Sequence, residues 1–194
     1  NTAMSLGWLG FTYLEKGDPE RAIPLLEQSV QQLGQFRFPQ FQGWFTAFLA
    51  EAHCVSGQLD KAHDLATQGL DITKAGRFSY GIAWAKRALG RIAKARGADS
   101  EAESHLNEAR EIFGSHNARY DVARTHLDLA AVAHAQERHA EVPAHLNEAR
   151  RLFSASGVPR YVARTDELAR AFGAPIPEEA APTDPNSVQV IGPH

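Results

Sequence analysis

Leucine followed by a small residue recurs every forty residues along this chain, at Leu9-Gly10, Leu49-Ala50, Leu89-Gly90 and Leu129-Ala130. Two further series keep the same period, one of mostly turn-forming residues and one of mostly small residues. They are Gly17, Gly57, Gly97 and Glu137, and Ala22, Ala62, Ala102 and Val142. A third series consists of Ala3, Gly43, Ala83, Ala123 and Ala163. Because several series share one period, the chain is predicted to be an array of repeats.

Each repeat has the pattern of two helices joined by a short turn. Residues 79–96 are rich in helix-forming residues and have no interior proline, and Gly97 then interrupts the pattern before a second helix begins at Asp99. In the first repeat, Asp18 is a predicted N-cap residue, because Pro19 follows where a missing N–H costs nothing. Left-handed C-cap conformations are predicted for Gly76, Asn117 and Gly157.

The repeats predict an all-α chain of about four helix pairs and a closing helix. A single pair cannot bury its apolar stripe alone, so neighbouring pairs have to stack into an elongated superhelix. Small residues two turns apart, such as Ala83 and Gly90, let the partner helix approach closely. We divide the chain into a repeat domain, residues 1–172, and a Pro-rich acidic tail, residues 173–194. The units are about 1–40, 41–80, 81–120 and 121–159, with the closing helix at 160–172.

The first repeat resembles the tetratricopeptide repeat, in which Leu-Gly, an aromatic residue, Gly and Ala follow one another. This chain has Leu9-Gly10, Tyr13, Gly17 and Ala22 in those places, and the resemblance covers roughly residues 1–172. The period differs, since the usual repeat has about 34 residues. The aromatic position also differs in the later repeats, which have His53, Ala93 and Ala133 there.

This resemblance implies a right-handed superhelical solenoid of antiparallel helix pairs with a non-catalytic role in protein–protein interaction or scaffolding. The longer repeats, with Glu-Ala-Arg-Arg-Leu-Phe at residues 148–153, are also similar to the C-terminal repeat regions of large bacterial regulators. Examples are ATPase-type transcription activators of the LuxR or MalT sort and multidomain adenylyl cyclases. On this resemblance, the chain is expected to be part of a larger bacterial signalling or regulatory protein.

Charge and composition narrow the possible functions. The formal net charge is −3, and the tail alone accounts for it through Glu178, Glu179 and Asp184. The neutral repeat domain disfavours a general nucleic-acid-binding protein, which needs excess Lys and Arg. A single cysteine, Cys54, cannot form an internal disulfide and suits a cytoplasmic protein. No apolar run is long enough for a membrane helix. The beginning at Asn1, with apolar residues following at once, suggests a piece of a longer protein.

Catalytic and metal-binding patterns are weak in this sequence. His134, His139 and His145 are spaced five and six residues apart, so their side chains do not share one helical face. The side chains of the neighbouring His53 and Cys54 diverge, and the isolated turn glycines do not form a phosphate-binding loop. We therefore expect no catalytic residue, metal or cofactor.

The resemblance also implies where a ligand would bind, because the first helices of tetratricopeptide pairs line a concave groove. Contacts in that family come from a stripe at positions i, i+3, i+7 and i+10, which share one helical face. In the third repeat, these positions are Trp84, Arg87, Arg91 and Lys94. The corresponding candidates elsewhere are Trp44 and Glu51 in the second repeat, Arg124 and His134 in the fourth, and Arg164 in the closing helix. The groove is expected to be basic and aromatic at its centre.

An acidic peptide or protein segment is the expected ligand, because arginine binds carboxylates in a bidentate manner. Besides an unrecognised hydrolase, which a metal assay and loss of activity in His134→Ala would have to support, two other interpretations stay open. In one, the cations form a solvated face balanced by nearby acids, and the tryptophans pack between first helices. In the other, the groove binds single-stranded nucleic acid by stacking bases on the tryptophans. Self-association is expected through the apolar end around Trp8 and Phe11, through Phe36 and Phe41, or through docking of the acidic tail.

Overall fold

The computed structural model describes residues 2–176, and the helices in this range form four pairs and a closing helix. A closing helix is present, as predicted, and the helix predicted at 79–96 is confirmed to within a residue at each end. The acidic tail residues whose docking was predicted lie outside the described residues. The helices are α1 (Thr2–Glu15), α2 (Pro19–Gln35), α3 (Pro39–Val55), α4 (Leu59–Ala75), α5 (Ser79–Ala95), α6 (Asp99–Ser115), α7 (Arg119–Ala135), α8 (Val142–Ala155) and α9 (Pro159–Ala171).

A left-handed residue recurs every twenty positions, in the turn after each of the first eight helices. The prediction for Asn117 and Gly157 is confirmed, with φ values of 55° and 66°. The prediction for Gly76 is wrong: its φ is −77°, because the twenty-residue spacing places the left-handed position at Arg77. Asp18 is the predicted N-cap, since its Oδ1 accepts a hydrogen bond from the Arg21 backbone N–H at 3.2 Å. The left-handed residues of these eight turns are Gly17, Arg37, Gly57, Arg77, Gly97, Asn117, Glu137 and Gly157.

The helices form an all-α, right-handed solenoid with two layers. Each helix packs on the next one along the chain, and the odd-numbered helices α1, α3, α5 and α7 also contact one another in sequence. The odd-numbered helices therefore form the inner layer, and the even-numbered helices cover it from outside. None of the helices between residues 2 and 176 is long and apolar enough to cross a membrane.

Small residues hold the two helices of a pair close together, as the sequence predicts. A Cβ atom added at Gly90 would lie 2.6 Å from Cγ of Leu106 on α6, which is closer than real contacts allow. A Cβ at Gly10 would meet Leu26 on α2 in the same way, at 2.7 Å. These glycines let the leucine of the second helix pack directly against the backbone of the first.

The array curls until its first helix meets its last, which differs from the elongated superhelix expected from the sequence. The guanidinium Nη2 of Arg160 in α9 donates to the backbone carbonyl of Glu15 at the end of α1, at 2.9 Å. The side chain of Glu15 also reaches α7 and α9. Curvature accumulated over four repeats therefore turns the concave groove into a narrow, partly closed interior.

Apolar side chains are exposed at the N-terminal end of the array, as expected. Trp8 is 41% exposed and Phe36 is 56% exposed, whereas Phe11 and Phe41 are half-buried. Phe11 stacks on Phe48 with ring centroids 4.4 Å apart, so it belongs to the core rather than to a free surface.

Candidate functional site

A cavity of about 170 Å³ lies on the inner surface, where the odd-numbered helices face one another. Its apolar wall includes Leu14 of α1, Val55 of α3 and Leu127 of α7. Every odd-numbered helix contributes to the lining, so the cavity exists only because the array curls. The charged lining consists of the guanidinium groups of Arg87, Arg91, Arg124 and Arg164 and the carboxylates of Glu15 and Asp128.

Glu51 pairs with two of these arginines from behind the cavity wall. Its fully buried carboxylate accepts hydrogen bonds from Nη1 of Arg87 at 2.8 Å and Nη1 of Arg91 at 2.5 Å. Burial by itself raises the pKa of Glu51, but the charges of Arg87, Arg91 and Arg124 outweigh burial and hold this pKa below its usual value. Asp128 Oδ2 lies 2.7 Å from Nη2 of Arg87. The four groups form an ion-pair network that joins α3, α5 and α7.

Glu15 forms a second cluster at another side of the cavity. Its carboxylate pairs with the guanidinium group of Arg124 and accepts a hydrogen bond from the hydroxyl of Tyr161. The hydroxyl of Tyr120 donates to the same carboxylate at 3.2 Å. Tyr161 lies 146 positions along the chain from Glu15. This one carboxylate therefore connects the first helix with α7 and α9.

Trp84 lies beneath the arginines and is 2% exposed. Its ring packs against Phe48, with centroids 4.6 Å apart, and against Phe11 at 5.7 Å. The guanidinium group of Arg124 lies 4.9 Å from the Trp84 ring centroid, within cation–π range. The expectation that Trp84 presents a face to a ligand is therefore wrong, because neighbouring first helices close over the indole. It supports the arginines instead.

Arg91 and Arg164 are the more accessible arginines of the cavity. The side chain of Arg91 is 26% exposed, compared with 4% for Arg87. Arg164 is exposed and pairs with no carboxylate between residues 2 and 176. The structure thus brings five predicted site residues together, at different depths. They are Glu51, Arg87, Arg91, Arg124 and Arg164.

Three other predicted site residues lie away from the cavity. Trp44 is half-buried in the aromatic cluster near the start of α3, 5.2 Å from the Trp8 ring. Lys94 is partly exposed near the end of α5 and has no ion-pair partner in the described range. His134 stacks on Phe172 with ring centroids 4.4 Å apart. These positions share the predicted stripe with the cavity residues, but they do not line the cavity.

Sequence reasoning missed the carboxylates that neutralise the arginines. Asp128 lies four residues after Arg124 on the same helical face, and this spacing could have indicated a charge-balanced interior. Glu15 gives no such signal, because its partners lie more than 100 residues away and meet it only through the curl of the array. The interior is consequently not the open basic groove expected from the sequence.

Some guanidinium donors stay without a partner despite this pairing. The cavity lining contains four guanidinium groups but only two carboxylates, those of Glu15 and Asp128. Nε of Arg87 and Nη1 of Arg124 are buried and have no hydrogen-bond partner within the described residues. Buried donors in this state favour an anionic ligand, because an unsatisfied polar group carries the full cost of its lost hydration.

Asp121 is a further buried carboxyl group, close enough to Arg124 and Arg87 to interact with their charges. Burial raises the pKa of its carboxyl group, and the carboxyl accepts a hydrogen bond from the hydroxyl of Tyr80. It lies outside the cavity lining. No group of three potential metal ligands occurs in the part of the chain that the structure describes.

Comparison with known proteins identifies the fold of this chain. No protein-family model matches the sequence, and no curated protein does. Among solved structures, the apo form of RapI is 16% identical with a TM-score of 0.71, covering 90% of this chain and 64% of that one. A Rap protein complexed with competence and sporulation factor is 13% identical with a TM-score of 0.75, covering 90% and 49%.

A further similar structure contains the nearly identical TPR-like repeats of a Podosopora anserina protein described as a kinesin light chain. It is 20% identical with a TM-score of 0.58, covering 89% of this chain and 96% of that one. The present chain spans 64% and 49% of the two Rap proteins, so it corresponds to part of their length. The nine described helices therefore have the TPR-like repeat fold that the sequence motifs resemble.

Proposed function

We propose that this chain is a non-catalytic protein-interaction module that binds an acidic segment of a partner protein at its inner surface. A carboxylate of the partner enters the arginine-lined cavity, where Arg91 and Arg164 receive it near the surface. The buried donors of Arg87 and Arg124 lie deeper in the same cavity. The single observation that carries this proposal is the excess of guanidinium donors over carboxylates in a cavity of about 170 Å³.

The size and lining of the cavity define the chemistry of this ligand. A small lining that mixes four guanidinium groups with two carboxylates matches a single carboxylate rather than a run of phosphates, which favours an acidic protein segment over nucleic acid. The narrow interior accommodates a side chain, while the rest of the segment stays at the rim. Leu14, Val55 and Leu127 offer apolar contacts to the methylene groups of an Asp or Glu side chain.

The similar structures support an interaction role of this kind. One of them is a Rap protein in complex with competence and sporulation factor, so an array of this fold does form complexes. We extend this role to the present chain and propose that it acts within a larger bacterial signalling or regulatory protein. The chain's own partner is defined here only by its acidic chemistry.

Self-association through the apolar N-terminal end is a second candidate function. A cavity of about 270 Å³ at this end is lined by Met4, Leu33, Phe38 and Phe41, and its lining is almost wholly apolar. Phe36, two residues before Phe38 in the sequence, is also exposed. A second copy of the chain could cover this surface. Sedimentation equilibrium of wild type and Phe38→Ser tests this: a dimer that the substitution dissociates supports it, and a monomeric wild type excludes it.

A pair of matched peptides tests the proposed binding of an acidic segment. Fluorescence polarisation measures binding of a labelled peptide of alternating Glu and Ala, and of the same peptide with Gln for Glu. We expect only the Glu peptide to bind, and Arg164→Gln to weaken it roughly tenfold, because a charge-assisted contact is lost. Arg170→Gln removes an exposed arginine from the same helix, outside the cavity, and is the control. Equal binding of the two peptides to wild type, or equal binding of the Glu peptide to Arg164→Gln and Arg170→Gln, would refute the proposal.

A further inference from the structure

The carboxylate of Glu15 lines this cavity from the end of α1. It is held by one guanidinium group and two hydroxyls, those of Arg124, Tyr120 and Tyr161. These are the donor types expected to hold a carboxylate from another protein. Glu15 lies at the last position of α1, and its side chain is 14% exposed, so it is reached from the cavity mouth.

We propose that the partner's carboxylate competes with Glu15 for this position, and that binding releases the end of α1 from α7 and α9. This inference rests on the proposed function and adds a mechanism to it. The partner is then a protein segment with an Asp or Glu side chain that fits between Arg124 and the two tyrosines. The array responds by opening where its first and last helices meet.

The exchange conserves the ion pair and the hydrogen bonds at the site. One carboxylate replaces another, so Arg124, Tyr120 and Tyr161 keep an acceptor throughout. Glu15 itself gains water when it leaves, since it lies at the end of a helix beside the exposed turn residues Lys16 and Gly17. No buried charge is left unpaired in either state.

Glu51 cannot take part in such an exchange, and the contrast identifies Glu15 as the competing group. The Glu51 side chain is fully buried in the middle of α3 and bonds to both Arg87 and Arg91. Its departure would leave two guanidinium groups buried together without a counter-charge. Glu51 therefore belongs to the permanent framework of the cavity, and Glu15 is the replaceable part.

The closed state should lower the apparent affinity for a partner. When a binding-competent state is only a fraction of the population, the apparent dissociation constant rises by the reciprocal of that fraction. Removing the Glu15 charge increases that fraction. In the closed array, the only described contacts of the Glu15 side chain with α7 and α9 are those of Arg124, Tyr120 and Tyr161, so a single substitution removes the competitor.

Binding of the labelled Glu–Ala peptide to Glu15→Gln tests this competition. We expect about tenfold tighter binding than to wild type, because the competing carboxylate is absent. Glu111→Gln removes one exposed negative charge from α6, away from the cavity, and should leave affinity unchanged. Unchanged or weaker binding to Glu15→Gln would overturn the competition while the proposed function stands. Failure of wild type and Glu15→Gln alike to bind would refute the proposed function itself.

Hydrogen exchange of the wild-type chain gives a second test that needs no substitution. Saturating the chain with the Glu–Ala peptide should increase exchange about tenfold at the amides of the last turn of α1. The Gln–Ala peptide should have no such effect. Exchange that slows or stays constant in α1 while the Glu–Ala peptide is bound would show that Glu15 keeps its place, and would overturn the inference.

Discussion

Glu51→Gln is the substitution that most sharply probes the buried charge network. Glutamine keeps the size of the side chain but removes the charge that lies between Arg87 and Arg91, at 2.8 and 2.5 Å. Removing one partner of a fully buried ion pair typically costs about 3–5 kcal/mol, because the remaining charge has lost both water and its counter-ion. Asp128 also contacts these arginines and offsets part of the loss. We therefore expect the lower end, about 3 kcal/mol.

Urea unfolding followed by circular dichroism measures this loss. For a chain of this length, about 3 kcal/mol corresponds to a fall in melting temperature of roughly 6–12 °C. Glu111→Gln, which changes an exposed glutamate, should stay within about 0.5 kcal/mol of wild type. A loss below about 1 kcal/mol for Glu51→Gln would show that the network is solvated or rearranged and would refute the electrostatic argument.

The pH dependence of stability provides an independent check on the direction in which the pKa of Glu51 is shifted. The pKa of Glu51 is lowered in the folded chain, so its contribution to stability is fully present above the pKa of an unfolded glutamate, about 4.3. That contribution is lost as the pH falls through the lower folded value. The difference in stability between wild type and Glu51→Gln should therefore shrink below about pH 4. A difference that is constant from pH 7 to pH 3 would contradict this linkage.

Three further predictions concern packing and titration. Trp84→Ala should destabilise the chain by about 3–5 kcal/mol in urea unfolding, because this nearly fully buried ring joins three repeats; a loss under about 1 kcal/mol would place it at the surface. Gly90→Ala should cost about 1–3 kcal/mol by overpacking against Leu106, and Leu106→Ala in the same chain should make the glycine substitution harmless. His126 and His145 face each other with their Nδ1 atoms 3.0 Å apart, and burial, the charge of His145 and the charge of Arg110 lower the pKa of His126 to about 4. As the pH falls, the histidine side chain of the unfolded chain binds a proton at a higher pH than the buried His126 does. The free energy of unfolding should therefore fall by about 2–3 kcal/mol between pH 6.5 and pH 4, and His126→Gln should flatten this part of the profile.

The repeat architecture was predictable because its signals are local. Leucine, glycine and alanine at a fixed period report the close contact of two helices within one repeat, and Gly90 against Leu106 confirms this directly. The signals of turn residues are equally local. The forty-residue period of the sequence, however, does not indicate the twenty-residue spacing that places a left-handed residue at Arg77. Arginine has no sequence signature there, since Gly76 beside it is the residue that usually adopts this conformation.

The interior of the array was less predictable because it depends on accumulated curvature. The inner-face stripe includes Arg87, Arg91 and Arg124, and these three residues line one cavity, since helical spacing alone sets that face. The degree of curl determines whether such a stripe lines an open groove or a closed interior. Small rotations between repeats add up over the array, so the contact of Glu15 with Tyr161 has no local signal.

Titration of the isotope-labelled chain with the Glu–Ala peptide, followed through the Nε–Hε signals of its arginines, tests the central claim most directly. If a partner carboxylate enters the cavity, the signals of Arg87, Arg91, Arg124 and Arg164 should shift together and saturably, and the Gln–Ala peptide should shift none of them. The same four signals staying fixed while the Glu–Ala peptide binds, with shifts confined to arginines outside the cavity such as Arg170, would contradict the claim.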